Sequence, residues 1–316
     1  MINASQKLSF VIPCYGSEKT IENVIQEIED TVREKNDYEI ICVNDCSPDG
    51  VYSVLEKLAQ NNKKLKVINL ARNFGQHGAI MAGYHYVTGD IVVCLDDDGQ
   101  TAPKDCYKLI DALNEDVDIV YAKYPVKKES PFRLFGSWTA KKMSEWLCSI
   151  PKNISLNSYF VCRRFVIEEV IRYENAYPYL AGLLFRTTKK VKNVDIPHYE
   201  RKYGKSGYSL KKLVTLWMNG FTAFSVKPLR IATFLGGLVA GIGFLYAIFI
   251  IIKKILNPST PMGYSSMMCV LLFIGGMLML MLGLIGEYIG RIYICLNRSP
   301  QYVIKNSINT EDGNEK

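Results

Sequence analysis

No C-x-x-C pair occurs among the nine cysteines of this 316-residue chain, which lie scattered at Cys14, Cys42, Cys46, Cys94, Cys106, Cys148, Cys162, Cys269 and Cys295. That scatter excludes a zinc ribbon and a disulfide framework and predicts reduced, buried thiols. A G-x-x-x-x-G-K-[ST] loop and a G-x-G-x-x-G fingerprint are also missing, so neither a P-loop nor a dinucleotide site is indicated. There are no internal repeats. Polar Met1 to Lys7 leads straight into LSFVIP, without the charged-then-apolar pattern of a signal peptide. The net charge of +7 is spread along the chain and forms no basic tail, which argues against nucleic acid as a partner.

Charge itself is absent from two long stretches. Ile231 to Ile252 runs 22 residues and Met267 to Ile285 runs 19 without a charged side chain. At about 1.5 Å rise per helical residue, these lengths approach or exceed the roughly 30 Å of a bilayer's hydrocarbon core. Lys211, Lys212, Lys227, Arg230, Arg291, Arg298 and Lys305 flank the two stretches on the outside, against Lys253 and Lys254 in the connecting loop. Such a bias predicts a two-span hairpin with both termini in the cytosol and the first domain left there, on the inner face of the cytoplasmic membrane. The densest positive segment, Lys189 to Lys212, immediately precedes the hairpin. It suits anionic headgroups or a lipid phosphate, or else is a solvated basic face. Gly237/Gly241 and Gly286/Gly290 are small-xxx-small pairs that allow close helix packing and a homo-oligomer. Glu287 stands one turn from Arg291, spaced for an ion pair.

Before the hairpin, short apolar runs alternate with helical patterns. Leu8 to Pro13, Glu39 to Asn44, Leu65 to Leu70, Ile91 to Asp96, Val117 to Ala122 and Tyr159 to Cys162 read as strands. Thr20 to Arg33, Val51 to Gln60, Gln76 to Val87 and Pro103 to Asn114 read as helices, with two short helices before Thr188. Apolar strands separated by helices indicate βαβ units and a parallel sheet covered on both faces. Ligands of such sheets bind beyond the strand C-termini. Leu210 to Phe224 has an apolar face at helical spacing beside Lys211 and Lys212, as a helix in the membrane interface or a core helix would. Asn306 to Lys316 reads as disordered.

Polar groups gather at those strand ends. Strand one ends in Pro13-Cys14-Tyr15-Gly16-Ser17-Glu18, strand two in Asn44-Asp45-Cys46-Ser47-Pro48-Asp49-Gly50, and strand four in Asp96-Asp97-Asp98-Gly99-Gln100. Capped turns would use the same residue types. Three consecutive acids repel one another, however, and a bound cation is the simplest compensation. One or two carboxylates with open oxygen coordination suit Mg²⁺ or Mn²⁺ shared with substrate phosphates. If the strand continues that far, Asp96 and Asp98 project to one side and Asp97 to the other.

The motifs VIPCYGSE, VNDCSPDG, LARNFGQHGAIMAG and DDDGQ, in this order, resemble the inverting family 2 glycosyltransferases. The likeness is greatest to the membrane-anchored polyprenyl-phosphate branch, similar to dolichol-phosphate mannose synthases and bacterial undecaprenyl-phosphate glycosyltransferases. It continues through HYERKYGKSGYSLKKL, NGFTAFSVKPLRIATFLG, GEYIGRIY and SPQYVIK, nearly the whole chain. The resemblance implies an α/β fold: a GT-A domain, Rossmann-like with a mainly parallel sheet, then interfacial helices and a two-helix transmembrane hairpin. Its expected limits are a cytosolic catalytic domain over 1–207, an amphipathic region over 208–229, the hairpin over 230–290 with spans near 231–252 and 267–289, and a cytosolic tail over 291–316. It assigns Pro13, Tyr15, Glu18 and Asp45 to the nucleotide, supported by Arg72, with Asp96 touching nucleotide and metal. Asp96 and Asp98 become the metal motif, Gln100 lies beside sugar or acceptor, and Arg201, Lys205 and Ser206 hold phosphate oxygens.

Three departures stand out. Asn44 replaces the first of two acids found in many relatives, and Gly99 replaces a more usual leucine. Ser158 stands where some relatives carry an aspartate proposed as general base, and Phe160 where they usually carry arginine. A phosphate monoester loses its second proton near pH 6, so a polyprenyl phosphate is already ionised and needs positioning more than a base. The expected reaction is therefore metal-dependent, inverting transfer of one sugar, hexosyl or N-acetylhexosaminyl, from a nucleotide diphosphate sugar (UDP first) to undecaprenyl phosphate at the cytosolic membrane face, for a cell-envelope glycan. Ser158 would lie beside the acceptor phosphate. A processive polysaccharide synthase is the enzymatic alternative, but it normally uses a Q-x-x-R-W motif and more spans. A catalytically silent scaffold that binds nucleotide or lipid phosphate is the other.

Overall fold

The strands that precede the helical hairpin form because their side chains are largely apolar on both faces, and helices cover both faces in turn. The computed structural model describes residues 6–125, 151, 154–176, 178–197, 227–256 and 263–310. Its elements run β1 Leu8–Cys14, α1 Ile21–Val32, β2 Tyr38–Asn44, α2 Val51–Asn61, β3 Leu65–Leu70, α3 Gly75–Tyr84, β4 Ile91–Cys94 and a short 3₁₀ turn leading into α4 Cys106–Ile110. There follow β5 Ile119–Lys123, β6 Phe160–Arg163, α5 Arg164–Val170, α6 Leu180–Thr187, β7 Val191–Asp195, α7 Lys227–Leu256, α8 Tyr264–Leu296 and β8 Ile304–Ile308.

The eight strands make one sheet in the order β7-β5-β6-β4-β1-β2-β3-β8. Parallel pairing joins β1 to β2 and β4, β2 to β3, and β5 to β7. Antiparallel pairing joins β6 to β4 and β5, and β8 to β3. The expected parallel sheet is thus the central frame of a mixed one. Every residue of β1 and β2 is buried. Ile21, Val24, Ile28, Val51 and Leu55 from α1 and α2 pack on one face against Phe10, Ile12 and Cys42. On the other face α3 lies so close that a Cβ on Gly83 would come within 2.8 Å of Val11 Cγ1 and 3.0 Å of Val43 Cγ2.

Three expectations need correction. The strand at β4 ends at Cys94, so alternation along a strand does not govern Asp96, Asp97 and Asp98. The polar tail is not without structure: Ile304–Ile308 forms β8, and Asn309 Nδ2 donates to the carbonyls of Ala59, Asn62 and Leu65. A polar edge strand has no apolar alternation to announce it; its partners lie over two hundred residues away. Cys14, Cys42, Cys94, Cys106 and Cys162 are free, buried thiols as expected, but Cys46 is exposed and Cys295 half-buried.

The chain divides into two units, Met1–Trp217 with Arg298–Lys316, and Met218–Asn297. The second holds the helices Lys227–Leu256 and Tyr264–Leu296. Within it, Phe273–Leu296 is long and apolar enough to cross a membrane, and Ala232–Tyr246 is a shorter apolar stretch. Phe234, Phe244, Leu271, Phe273 and Leu282 are all exposed, as lipid-facing side chains would be. The expected amphipathic helix over Leu210 to Phe224 lies outside the described residues.

Candidate active site

Three loops beyond the C-terminal ends of β1, β2 and β4 are tied to one another by their own polar groups. Tyr15 N–H donates to Asp97 Oδ2 at 2.9 Å, and Thr20 Oγ1 to the Asp97 carbonyl at 2.7 Å. Gly16 N–H donates to Ser47 Oγ at 2.8 Å, and Glu18 N–H to Asp49 Oδ2 at 2.9 Å. In return Gly50 N–H reaches Glu18 Oε2 at 3.2 Å. Asp97 is therefore the structural member of the acidic triplet. Burial raises its carboxyl above the ordinary range, as expected when a charged form loses water.

Asp45 is buried and accepts Phe74 N–H at 2.7 Å on Oδ1 and Gly75 N–H at 2.9 Å on Oδ2. It thereby caps α3 and holds the RNFG turn against β2. Burial raises its pKa while those two donors oppose the rise. Arg72 is exposed, its guanidinium 4.6 Å from the Phe74 ring centroid. Pro13 is buried at the end of β1 opposite Val43, while Tyr15 is exposed.

Asp96 and Asp98 occupy the bend after β4, both half-buried. Gln76 Nε2 donates to Asp96 Oδ1 at 2.9 Å, and the Ser158 hydroxyl donates to Asp96 Oδ2. Asp98 Oδ1 accepts Gln100 N–H at 3.0 Å. Asn157 supports this corner by donating to the Ala122 carbonyl at 2.6 Å. The Tyr124 phenol is raised by burial and, to a lesser degree, by the nearby charges of Asp96 and Asp98. Gly99 has φ +69, a left-handed conformation in which leucine would be strained, and this accounts for the glycine there.

These contacts bring Tyr15, Glu18, Asp45, Asp96, Asp98, Gln100 and Ser158 to one sheet edge. Arg201, Lys205 and Ser206 lie outside the described residues. Gln76 and Tyr124 were not singled out from sequence. Gln76 sits within the RNFGQHG motif, but only the fold shows that its amide meets Asp96. Phe160 is buried in β6 with its ring 5.0 Å from that of Tyr121, so this position serves the core.

Does this corner suit a divalent cation? Among the described residues no group of three or more His, Cys, Asp or Glu side chains has metal-holding geometry. Mg²⁺ and Mn²⁺ sites that share their ion with a diphosphate need only one or two carboxylates, the rest being phosphate oxygens and water. Asp96 and Asp98 fit that kind of site and do not form a self-sufficient cage.

Residues 9–170 match Glycosyl transferase family 2, and residues 227–292 match the GtrB C-terminal hairpin. The chain is 33% identical over 308 residues to the Uncharacterized glycosyltransferase YkcC of Bacillus subtilis (strain 168), spanning 96% of this chain and 95% of that one. It is 30% identical over 318 residues to the Undecaprenyl-phosphate 4-deoxy-4-formamido-L-arabinose transferase of Proteus mirabilis (strain HI4320), spanning 98% and 96% respectively. Among solved structures, glucosyl-3-phosphoglycerate synthase from Mycobacterium tuberculosis superposes with a TM-score of 0.54 at 18% identity, over 70% of this chain and 79% of that one. The same enzyme in complex with Mn²⁺, UDP-Glc and phosphoglyceric acid superposes with a TM-score of 0.52 at 17% identity, covering the same shares. Identities this low speak to the fold, which is GT-A-like. On its own matched residues and its near-full-length relatives, the chain belongs to glycosyl transferase family 2 and carries a GtrB C-terminal hairpin.

Proposed function

We propose that this glycosyltransferase moves one sugar from a nucleotide diphosphate sugar, UDP first, to undecaprenyl phosphate or a similar polyprenyl phosphate. The observation that carries the reading is the Asp96–Asp98 bend at the meeting point of three loops, in a chain that also holds an apolar helix of membrane-crossing length. The Proteus relative's named activity and the UDP-Glc and Mn²⁺ complex of the Mycobacterium fold neighbour support the same acceptor and donor classes.

A phosphate oxygen of the acceptor attacks the anomeric carbon opposite the leaving group. The new C–O bond forms as the bond to the nucleoside diphosphate breaks, and the departing diphosphate keeps the electron pair. Tyr15 and Glu18 line the donor's nucleotide, while Asp45 and Arg72 support it through the RNFG turn. Asp96 and Asp98 would hold a divalent cation, Mg²⁺ or Mn²⁺, which when bound would neutralise charge on the leaving diphosphate. Gln76 and Ser158 orient Asp96, and Gln100 faces sugar or acceptor. Arg201, Lys205 and Ser206 hold phosphate oxygens, for which a guanidinium fork and an ammonium are apt. Because the Ser158 hydroxyl is committed to Asp96, position 158 contributes no carboxylate base; an acceptor already ionised needs none.

The pairing of β8 with β3 bears on topology. β7, before the helices, and β8, after them, are strands of one folded sheet, so they lie on the same side of any bilayer. A chain that leaves and returns to one side crosses an even number of times. If Phe273–Leu296 crosses, a second crossing between β7 and residue 272 accompanies it, which supports a two-span hairpin with both of its ends on the sheet's side of the bilayer. The deciding experiment incubates full-length protein with MnCl₂, undecaprenyl phosphate and a panel of labelled nucleotide sugars. An acid-labile, phosphatase-resistant lipid-linked monosaccharide is expected. Donor binding without product would favour a silent scaffold, and a growing polymer a processive synthase.

A further inference from the structure

Three asparagines stand level across β2, β3 and β8: Asn44 is the register partner of Asn69, and Asn69 of Asn306. Their neighbours on the same face are apolar, with Cys42 opposite Val67 and Val67 opposite Ile308. An amide side chain both donates and accepts, so a row of them passes a hydrogen bond from strand to strand. Asn44 Nδ2 donates to Asn69 Oδ1 at 2.8 Å, Asn69 Nδ2 to Asn306 Oδ1 at 2.8 Å, and Asn306 Nδ2 to the Tyr52 hydroxyl at 2.5 Å.

The row does not stop at β2. Asn44 Oδ1 accepts Ser47 N–H at 3.1 Å. The Ser47 hydroxyl accepts Gly16 N–H at 2.8 Å and donates to Asp49 Oδ1 at 2.7 Å. Between Asn44 and Ser47 lies Cys46 with φ 50, a left-handed conformation that is unfavourable for a residue bearing a Cβ. A turn in that state persists only when its surroundings hold it. Asn44 holds the Ser47 backbone, beside the bonds of the Ser47 hydroxyl to Gly16 and Asp49, and Asn44 is oriented by Asn69 and, beyond it, by Asn306.

We propose that Asn306, on the strand that follows the helical hairpin, is a positioning residue of the donor site. Acting through Asn69 and Asn44, it sets the Ser47 turn against the β1 loop and thereby tunes affinity for the nucleoside diphosphate. The inference rests on the reading that these loops receive a nucleotide. It also gives a reason for asparagine at position 44, where an acceptor-only aspartate has no N–H to donate to Asn69.

Two substitutions in the full-length protein separate this role from plain edge packing. Asn306→Leu removes both side-chain bonds and keeps the β8 backbone pairing. Asn306→Asp still accepts from Asn69 and takes the Tyr52 O–H on its other oxygen. UDP binding with MnCl₂ is measured by calorimetry, alongside steady-state kinetics and thermal melting. If the energy of about one net hydrogen bond is lost from the nucleotide-bound state alone, UDP binding weakens about five- to tenfold. Asn306→Leu should weaken UDP by that factor and raise donor KM in step. Its kcat should stay within about twofold of wild type, with acceptor KM unchanged and melting temperature only slightly lowered, and Asn306→Asp should restore the donor KM. Wild-type UDP affinity in Asn306→Leu overturns the proposal, as does a loss that tracks melting temperature or strikes donor and acceptor KM alike. Wild-type protein that binds none of UDP, GDP or CDP overturns the nucleotide reading itself, and this inference with it.

Discussion

At the sheet end opposite the candidate site, Glu39 offers a test in which stability and catalysis should part company. It is buried and accepts Ser9 Oγ at 2.6 Å, Thr88 N–H at 2.6 Å and Thr88 Oγ1 at 2.7 Å. The ammonium of Lys66 lies 2.9 Å away and that of Lys7 3.4 Å. Burial by itself opposes ionisation, but the donors from Ser9, Lys66 and Thr88 outweigh it and bring the carboxyl from 4.5 down to about 2. A depressed folded pKa contributes stability that is complete above the unfolded value and is lost as pH falls through the folded one. The window is therefore roughly pH 4.5 down to 2, and the contribution at pH 7 is about 3 kcal/mol. At pH 3 the same linkage leaves about 1 kcal/mol. Glu39→Gln should lose about 3 kcal/mol at pH 7, read from urea unfolding of detergent-solubilised protein by far-UV circular dichroism. The gap to wild type should narrow by more than half at pH 3. Donor KM and kcat of the folded variant should match wild type at a temperature well below melting. Equal stability at pH 7, or a gap that does not change with pH, would refute the assignment of Glu39 as an ionised staple.

The remaining predictions concern the site and the hairpin. Asp98→Asn should cut transfer by about a hundredfold or more if it holds the ion that neutralises the leaving group, and wild-type turnover with bound metal would refute that role. Ser158→Ala removes a donor to Asp96, and loss of such an orienting group should raise the MnCl₂ concentration for half-maximal rate about tenfold or more; an unchanged metal titration would show that the hydroxyl is idle. Gly99→Leu meets open space but forces φ +69 on a side chain, so it should cost about 1–2 kcal/mol of loop strain and slow turnover, with Gly99→Asn milder. For topology, a reporter fused after residue 316 and one inserted within residues 257–262 should report opposite sides of the membrane; agreement between them would exclude the two-span hairpin.

The main frame of this protein is legible in its residues because the signals are local. LSFVIPC, YEIICVN and LKVINL are apolar on both faces, which only a sheet covered on each side accommodates, and they form β1, β2 and β3 within a residue or two of the expected limits. The loop motifs were legible for the same reason: turn-forming residues at strand ends announce a rim, and Asp45, Asp96 and Asp98 are found on it. Tertiary structure alone decided which of three adjacent acids turns inward, because the strand stops at Cys94 and alternation fails there. It also decided that β6 enters antiparallel between β4 and β5, and that Gln76 and Ser158 share Asp96. The polar run Ile304–Ile308 carries no periodicity of its own; it becomes a strand because β3 presents an unpaired edge and Asn69 a waiting amide. Apolar periodicity is written into consecutive residues, whereas hydrogen bonds between polar side chains depend on distant segments being brought face to face.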